Sequence, residues 1–243
     1  MDRIILDRKV DIGKEVLVKG PPMEALRFQS SRVGSLVTLT DSERSDFRGR
    51  VTHLSETEAS IFVFDTFSSP TESSLEIILL QALPEKERME LIIQKVTELG
   101  VASIVPFKSE KSTSLKEREA KQKKAHRWQH IAMKATRQSR RARVPYVGEY
   151  RAFQEVLEDC GKDGLRLLLW EKHGENLKDV LRQQQNQRIY AMVGPEGGFT
   201  EDEVKLAKKK GFIPVKLGQR ILRTETAAIS MVGILQYELG DLS

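Results

Sequence analysis

Short runs of alternating apolar and polar residues occupy the first part of the chain. They lie at residues 15–18, 36–39, 49–52 and 59–64, and turn-forming residues separate them. Alternation with a period of two is typical of strands that bury one face. The pattern therefore predicts a small β-barrel domain over residues 1–70, and a polar, serine-rich linker follows at residues 68–74.

A different pattern begins at Leu75, where apolar runs alternate with apolar positions at helical spacing. The runs predict strands at residues 75–83, 103–106, 166–170, 188–194 and 213–217, and the helical spacing predicts helices at residues 85–99, 115–139, 153–160 and 177–182. Two more helices are predicted to start at Thr200 and at Thr224 or Thr226, which can act as caps. Strands that alternate with helices form mostly parallel sheets. The predicted fold class over residues 75–243 is therefore α/β.

The run VGPEGGFT at residues 193–200 leads from a predicted strand into a predicted helix. Gly197 and Gly198 permit positive φ angles and allow a ligand to approach the main chain. Thr200 and Glu203 have the spacing of a capping box, which fixes the start of the helix. The loop either presents backbone N–H and C=O groups to a bound molecule or is an ordinary tight turn.

A second run, LGQRILRTETAA at residues 217–228, repeats this design of strand, glycine turn and helix. Ile221 and Leu222 stand between Arg220 and Arg223. An apolar pair between two cations suits a pocket wall with a cationic rim; the alternative is a buried apolar anchor beside two solvated arginines. Two backbone loops side by side suit an adenosine-type ligand, because the main chain can bind its ring edge and ribose without bulky side chains intervening.

The composition is typical of a protein whose surface is rich in charged, hydrated side chains. The 243 residues are 39% hydrophobic and 31% charged, a length that can bury one large core or two modest ones. Cys160 is the single cysteine, which excludes an internal disulfide. His126 and His130 share one helix face, but no nearby carboxylate completes a ligand set, so we predict no metal site. The chain lacks an apolar run of membrane-spanning length and a signal peptide, so we expect a cytoplasmic protein with no membrane association.

Positive charge is concentrated in one segment. The formal net charge is +5, yet residues 108–151 hold 14 Lys and Arg against four Asp and Glu, and no acidic residue lies between Lys121 and Arg143. The apolar residues of this segment recur at helical spacing, which turns most of the charges outward. A solvated helix face is the usual explanation, but neighbouring like charges repel one another, and a polyanion such as RNA would relieve that repulsion. The candidate RNA contacts are Arg27, Lys124, Arg127, Arg137, Arg140, Arg141 and Arg143.

Both glycine loops resemble the two signature loops of the RsmE family, the 16S ribosomal RNA uridine-N3 methyltransferases of the SPOUT superfamily. Two further stretches are similar to the family: residues 86–101 with the IVP run at 104–106, and RWQHIA at 127–132 with Gln138-Ser139, Arg141 and Val144-Pro145. The two loops and these two stretches occur in the same order as in the family, and together they span about residues 75–240. The chain departs from the family at residues 21–27, which lack a histidine. At residues 134–141, two acidic positions are basic and a glycine is Arg140.

The resemblance implies S-adenosylmethionine as cofactor, uridine N3 methylation as reaction, and 16S ribosomal RNA or the assembled small subunit as partner. It also implies an N-terminal PUA-like barrel that binds RNA, a SPOUT-type domain with a C-terminal trefoil knot, and a homodimer with cofactor pockets near its interface. Methyl transfer from a sulfonium requires no metal. Two alternatives remain open: a SPOUT methyltransferase acting on another ribosomal or transfer RNA site, and a non-catalytic RNA-binding assembly factor.

The predicted cofactor site combines the two glycine loops with the end of one strand. Its residues are Leu169, Gly194, Glu196, Gly197, Leu217, Gly218, Ile221, Leu222, Arg223 and Thr226. Loss of the N3 proton leaves an anion whose charge spreads over O2 and O4 of uridine, and a guanidinium can stabilise that charge. Arg223 is the first candidate for this role and Arg220 the second. Glu225 either orients Arg223 or accepts the proton, and the sequence does not decide between these roles.

Overall fold

The computed structural model describes residues 3–28, 30–43, 45–66, 72–112, 123–141, 143–161, 163–182, 184 and 186–242. The chain divides into two compact units, Met1–Thr71 and Glu72–Ser243, which we call the N-terminal and C-terminal units. Each has a hydrophobic core of its own.

The N-terminal unit is built on a five-stranded sheet. Its elements are β1 (Arg3–Ile5), β2 (Glu15–Lys19), α1 (Pro22–Phe28), β3 (Leu36–Thr40), β4 (Asp46–Leu54) and β5 (Glu58–Thr66). The strand order is β1-β3-β4-β5-β2, with β1 parallel to β3 and the other pairs antiparallel. Buried residues alternate along β2 and β5, so one face of the sheet covers the core. The four predicted strands are present, whereas β1 and α1 were not predicted because each is too short to show a period.

The C-terminal unit is built on an eight-stranded sheet. Its strands are β6 (Glu76–Ala82), β7 (Ser103–Lys108), β8 (Tyr146–Val147), β9 (Arg151–Ala152), β10 (Leu165–Leu169), β11 (Glu175–Asn176), β12 (Arg188–Val193) and β13 (Ile213–Lys216). The order is β11-β13-β10-β12-β6-β7-β8, and β9 pairs with β7. All of these pairs are parallel in the described chain. The prediction of an α/β fold with a mostly parallel sheet is confirmed.

Helices cover both faces of this sheet. They are α2 (Lys86–Glu98), α3 (Lys123–Ser139), α4 (Phe153–Asp159), α5 (Leu177–Leu181), α6 (Glu201–Lys209) and α7 (Thr224–Leu239). Ile77 and Leu79 of β6 pack in one core with α2, α3, α5 and α7, while Ile78 and Leu80 pack in a second core with α4 and α6. Because β6 is buried on both faces, its sequence is a continuous apolar run rather than an alternating one.

The predicted and observed element boundaries in the C-terminal unit differ by one or two residues, with three exceptions. The predicted helix 115–139 is described from Lys123 onward, and residues 115–122 lie outside the described residues. Strands β8, β9 and β11 were not predicted, since each has only two residues. Neither Thr224 nor Thr226 caps α7: the N-cap is Arg223, whose side chain forms no capping bond.

Candidate functional site

The carboxyl ends of three neighbouring strands meet at one edge of the C-terminal sheet. Strand β10 lies between β12 and β13 and pairs with both. The chain leaves β12 through residues 194–200, which we call the first loop, and leaves β13 through residues 217–223, the second loop. Parallel sheets bind ligands in crevices beyond the carboxyl ends of their strands. The two glycine-containing loops predicted from the sequence are therefore neighbours in space, with the end of β10 beside them.

These segments enclose a pocket of about 280 Å³. Nine of the ten predicted cofactor residues line it: Leu169, Gly194, Glu196, Gly197, Leu217, Gly218, Ile221, Leu222 and Arg223. Thr226 does not. It is exposed on α7, and Thr224 and Ala227 line the pocket in its place. Two residues along a helix correspond to roughly 200° of rotation, so Thr226 lies on the opposite side from Thr224.

A buried polar network joins the start of the first loop to the start of α7. The Thr224 hydroxyl donates to the Gly194 carbonyl at 2.6 Å, and it accepts from Gln81 Nε2 at 3.2 Å. Gln81 is fully buried and also donates to the Ala82 carbonyl at 2.8 Å. Buried polar groups that are hydrogen-bonded fix the elements that carry them. Gln81 was missed by the sequence interpretation, although a polar residue inside an apolar strand was a signal for it.

The pocket fits an adenosine-type ligand that carries an apolar group. Leu169, Leu217 and Leu222 supply half-buried apolar surface. Ile221 is 86% exposed, so the alternative of a buried Ile-Leu anchor is wrong for that residue. Gly198 and Gly218 have φ angles of +66° and +110°, which favour glycine and leave backbone groups uncovered. No atom lies within 4 Å of the position that a Gly218 Cβ would occupy.

Three carboxylates surround Arg88, a residue of α2 that lines the pocket and was not predicted. Its Nε lies 3.5 Å from carboxylate oxygens of both Glu85 and Glu196. Its Nη1 lies 3.6 Å from Glu225 Oε2. Glu196 Oε1 also accepts the Glu85 backbone N–H at 3.0 Å, at the N-terminus of α2. Glu196 therefore connects the first loop to α2 in addition to lining the pocket.

Glu225 does not orient Arg223 in this structure. Its carboxylate faces Arg88, Oε2 is buried without a hydrogen bond, and no ion pair joins Glu225 to Arg223 where the chain is described. Arg220 and Arg223 are both exposed on the pocket rim. No described carboxylate lies at ion-pair distance from either guanidinium. Arg223 is moreover the N-cap of α7, where the helix dipole adds positive potential.

The predicted RNA contacts differ in their local surroundings. Arg137, Arg140 and Arg143 are exposed, and Arg127 forms an ion pair with Glu90 of α2 at 2.9 Å. In the N-terminal unit, Arg27 is exposed and donates to the Glu56 carbonyl. The side chain of Lys124 lies outside the described residues.

The expectation that Arg141, like most charges of this segment, faces outward is wrong, and its role as an RNA contact stays a prediction. The Arg141 side chain is 6% exposed and pairs with Glu72 at 2.8 Å. Its Nη1 donates to the carbonyls of Thr97 and Val101 at 2.9 and 2.8 Å. A charge pattern shows that a segment is basic but does not show which of its arginines points inward.

Arg140 has a φ of +61°, in the left-handed region, directly after α3. A non-glycine residue there costs about 1 kcal/mol, and glycine is the usual residue at this helix-end position. We expect Arg140→Gly to stabilise the protein by about 0.5–1 kcal/mol, measured as the change in the urea unfolding midpoint. Arg137→Gly, inside the helix, is the matched control and should destabilise by about 1 kcal/mol. Destabilisation by both variants would contradict the strain assigned to Arg140.

The described residues contain no group of three or more His, Cys, Asp or Glu placed to hold a metal ion. Burial raises the pKa of the Cys160 thiol to about 11, so the thiol is protonated at neutral pH and is a poor nucleophile. Among the described helices, none is both long and apolar enough to cross a membrane.

Residues 71–236 match the sequence profile of the RNA methyltransferase domain family. The ribosomal RNA small subunit methyltransferase E of Bacillus subtilis (strain 168) is 32% identical over 192 residues, which cover 76% of this chain and 75% of that protein. The chain belongs to the RsmE family. The Aquifex aeolicus (strain VF5) RsmE is 31% identical over 86% of this chain and 97% of its own length.

A solved RsmE structure is similar over the whole chain. The crystal structure of the Neisseria gonorrhoeae RsmE, bound to S-adenosyl methionine, superposes with a TM-score of 0.76 at 32% identity and covers 100% of both chains. The RsmE resemblance read from the two loops is confirmed. The binding and catalytic roles of the individual residues remain predictions.

Proposed function

We propose that this protein uses S-adenosylmethionine to methylate N3 of a uridine in the 16S RNA of the small ribosomal subunit. The observation that carries the proposal is the pocket formed by the two loops in a chain of the RsmE family, whose Neisseria member was solved with this cofactor. The reaction needs a site for the cofactor, a means of stabilising the deprotonated uridine, and a surface for RNA.

The pocket residues fit the cofactor. Backbone groups at Gly194, Gly197 and Gly218 would bind its polar edges, and Leu169 and Leu222 would cover its apolar parts. When bound, S-adenosylmethionine supplies a methyl group already activated by its sulfonium. The protein must then hold the uridine in line and exclude water, and such positioning contributes several kcal/mol, on the order of 7–11 at its limit.

Arg223 is the candidate for stabilising the uridine anion, and Arg220 is the second. Both guanidinium groups lack a carboxylate partner among the described residues, so their charge is available to O2 or O4 of the base. Arg88 differs, because Glu196 and Glu225 already compensate its charge. Glu225 is the candidate acceptor of the N3 proton, with Arg88 holding its carboxylate. Since N3 takes part in base pairing, the target must be unpaired or flipped when it reacts.

The finer architecture is also a proposal: a PUA-like barrel over residues 1–70, a trefoil knot within residues 75–243, and a homodimer. The full-length similarity to the Neisseria RsmE supports the first two. Tyr237, on α7, is 62% exposed, and Ile229 and Ile234 of the same helix are only partly buried, which supports the dimer. On the N-terminal sheet, Phe62 and Phe64 are 39% and 40% exposed and Arg50 lies opposite Phe62. Exposed aromatic and arginine side chains can stack on unpaired bases, which supports RNA binding by this unit.

Mass-spectrometric mapping of methylated nucleosides tests the function. Ribosomal RNA from a deletion strain should lack one N3-methyluridine of the 16S RNA, and the wild-type gene should restore it. A missing methyl group in transfer RNA or at another ribosomal site would change the assigned substrate. An unchanged methylation pattern, together with an assembly defect, would indicate a non-catalytic assembly factor instead.

A further prediction concerns the exposed arginines near the end of α3. Replacing Arg137, Arg140 and Arg143 together by alanine should weaken binding of 16S RNA, because exposed cations release counterions from phosphates. The slope of log Kd against log salt should fall by roughly 0.7–0.9 per lost contact. Cofactor affinity should not change, since none of the three lines the pocket. Filter binding at several salt concentrations measures the slope, and an unchanged slope would show that these three arginines do not contact RNA phosphates.

A further inference from the structure

The side chain of Lys111 lies on the first loop. Lys111 is in the segment that follows β7, and its Nζ donates to the Gly197 carbonyl at 3.0 Å. Its carbon stem covers the α-carbon of that glycine: a Cβ added to Gly197 would stand 3.0 Å from Lys111 Cδ and 3.1 Å from Lys111 Cβ. Gly197 itself is outside the left-handed region that Gly198 adopts. Within the protein, the stem of Lys111 rather than the backbone conformation therefore restricts a side chain at position 197.

The same segment holds the end of the first loop. The Glu110 backbone N–H donates to Glu203 Oε1 at 2.8 Å, while Glu203 Oε2 accepts the Thr200 N–H at 2.9 Å. Glu203 is buried. Residues 110 and 111 thus attach the loop at its middle, through Gly197, and at its end, through the capping box of α6.

We propose that Lys111 is a positioning residue for the cofactor pocket, which rests on the proposed function of the first loop. Gly197 and Gly198 give the first loop more backbone freedom than other residues at these two positions would. The ammonium group restrains the Gly197 carbonyl and the stem restrains its α-carbon. A loop restrained in its binding conformation loses less entropy when the ligand binds, and affinity rises accordingly.

The first experiment compares Lys111→Met with Lys111→Arg, using S-adenosylhomocysteine as the calorimetric probe. Methionine keeps most of the stem but removes the charged donor, so Kd should rise by about 3–10-fold, as for one partly exposed charge-assisted hydrogen bond. Arginine keeps a donor and should stay within about twofold of wild type. Lys208→Met, an exposed lysine of α6 outside the pocket, is the control and should bind normally. Wild-type affinity in Lys111→Met would overturn the proposal.

The second experiment asks whether Lys111 or the cofactor forbids a side chain at position 197. Gly197→Ala should raise Kd by more than about tenfold, because the new methyl group and the lysine stem must separate. In a Lys111→Gly background the same change should raise Kd by less than about threefold, since the stem is gone. An equal loss in both backgrounds would mean that the methyl group meets the cofactor directly, and the proposal would be wrong. Absence of binding by the wild-type protein would instead refute the proposed function.

Discussion

Arg223→Ala should lower the rate of methyl transfer by about 10²–10³-fold and change cofactor affinity by less than about threefold. Arg223 is exposed at the pocket rim and occupies the N-cap position of α7. Its charge matters most when the uridine anion develops, and an interaction made only in the transition state reduces the rate rather than ground-state binding. Turnover at saturating cofactor and RNA, with calorimetry of the cofactor, measures the two effects separately.

Two arginines of the same pocket serve as comparisons. Arg220→Ala should reduce turnover less, because Arg220 is not at the helix N-terminus. Arg88→Ala should act differently, since it leaves Glu196 and Glu225 without their common cation. We expect weaker cofactor binding along with slower turnover, because the first loop loses its ion pair with α2 and keeps only the Glu85 N–H bond. A large rate loss in Arg220→Ala with normal turnover in Arg223→Ala would exchange their roles. Normal turnover in both would contradict electrostatic stabilisation of the anion by these residues.

The sequence predicts the pocket well because its walls are local features. Each loop consists of a strand end, a glycine turn and a helix start within about a dozen residues. Turn and cap signals of this kind can be recognised from the sequence without knowledge of tertiary contacts. The one error in the lining came from helical phase: α7 begins at Thr224, so Thr226 faces away from the pocket. If the helix began two residues later, Thr226 would stand at its start and face the pocket. The helix begins at Thr224, and Thr224 lines the pocket instead.

Contacts between distant segments could not be predicted. Arg88 meets Glu196 and Glu225, more than a hundred residues away along the chain. Lys111 contacts Gly197, 86 residues further along the chain. Each of these residues is unremarkable in its own segment, since charged residues are common in helices and loops. The parallel sheet order brings them together, and that order depends on the whole chain.

Arg141→Ala should destabilise the C-terminal unit by about 3–5 kcal/mol, the usual result of removing one partner from a buried, hydrogen-bonded ion pair. The guanidinium donates to the carbonyl of Thr97, in the last turn of α2, and to that of Val101, just beyond the helix, and it pairs with Glu72. Its loss leaves the Val101 carbonyl without this donor and Glu72 without its cation, whereas the Thr97 carbonyl keeps the Gly100 N–H. Urea unfolding followed by far-ultraviolet circular dichroism measures the loss. Arg127→Ala is the control: Arg127 is an exposed arginine of α3 paired with Glu90, and its loss should change stability by less than about 1 kcal/mol. RNA affinity per folded molecule should be unchanged. Normal stability combined with weaker RNA binding would show instead that Arg141 contacts RNA, as its place in the basic segment first indicated.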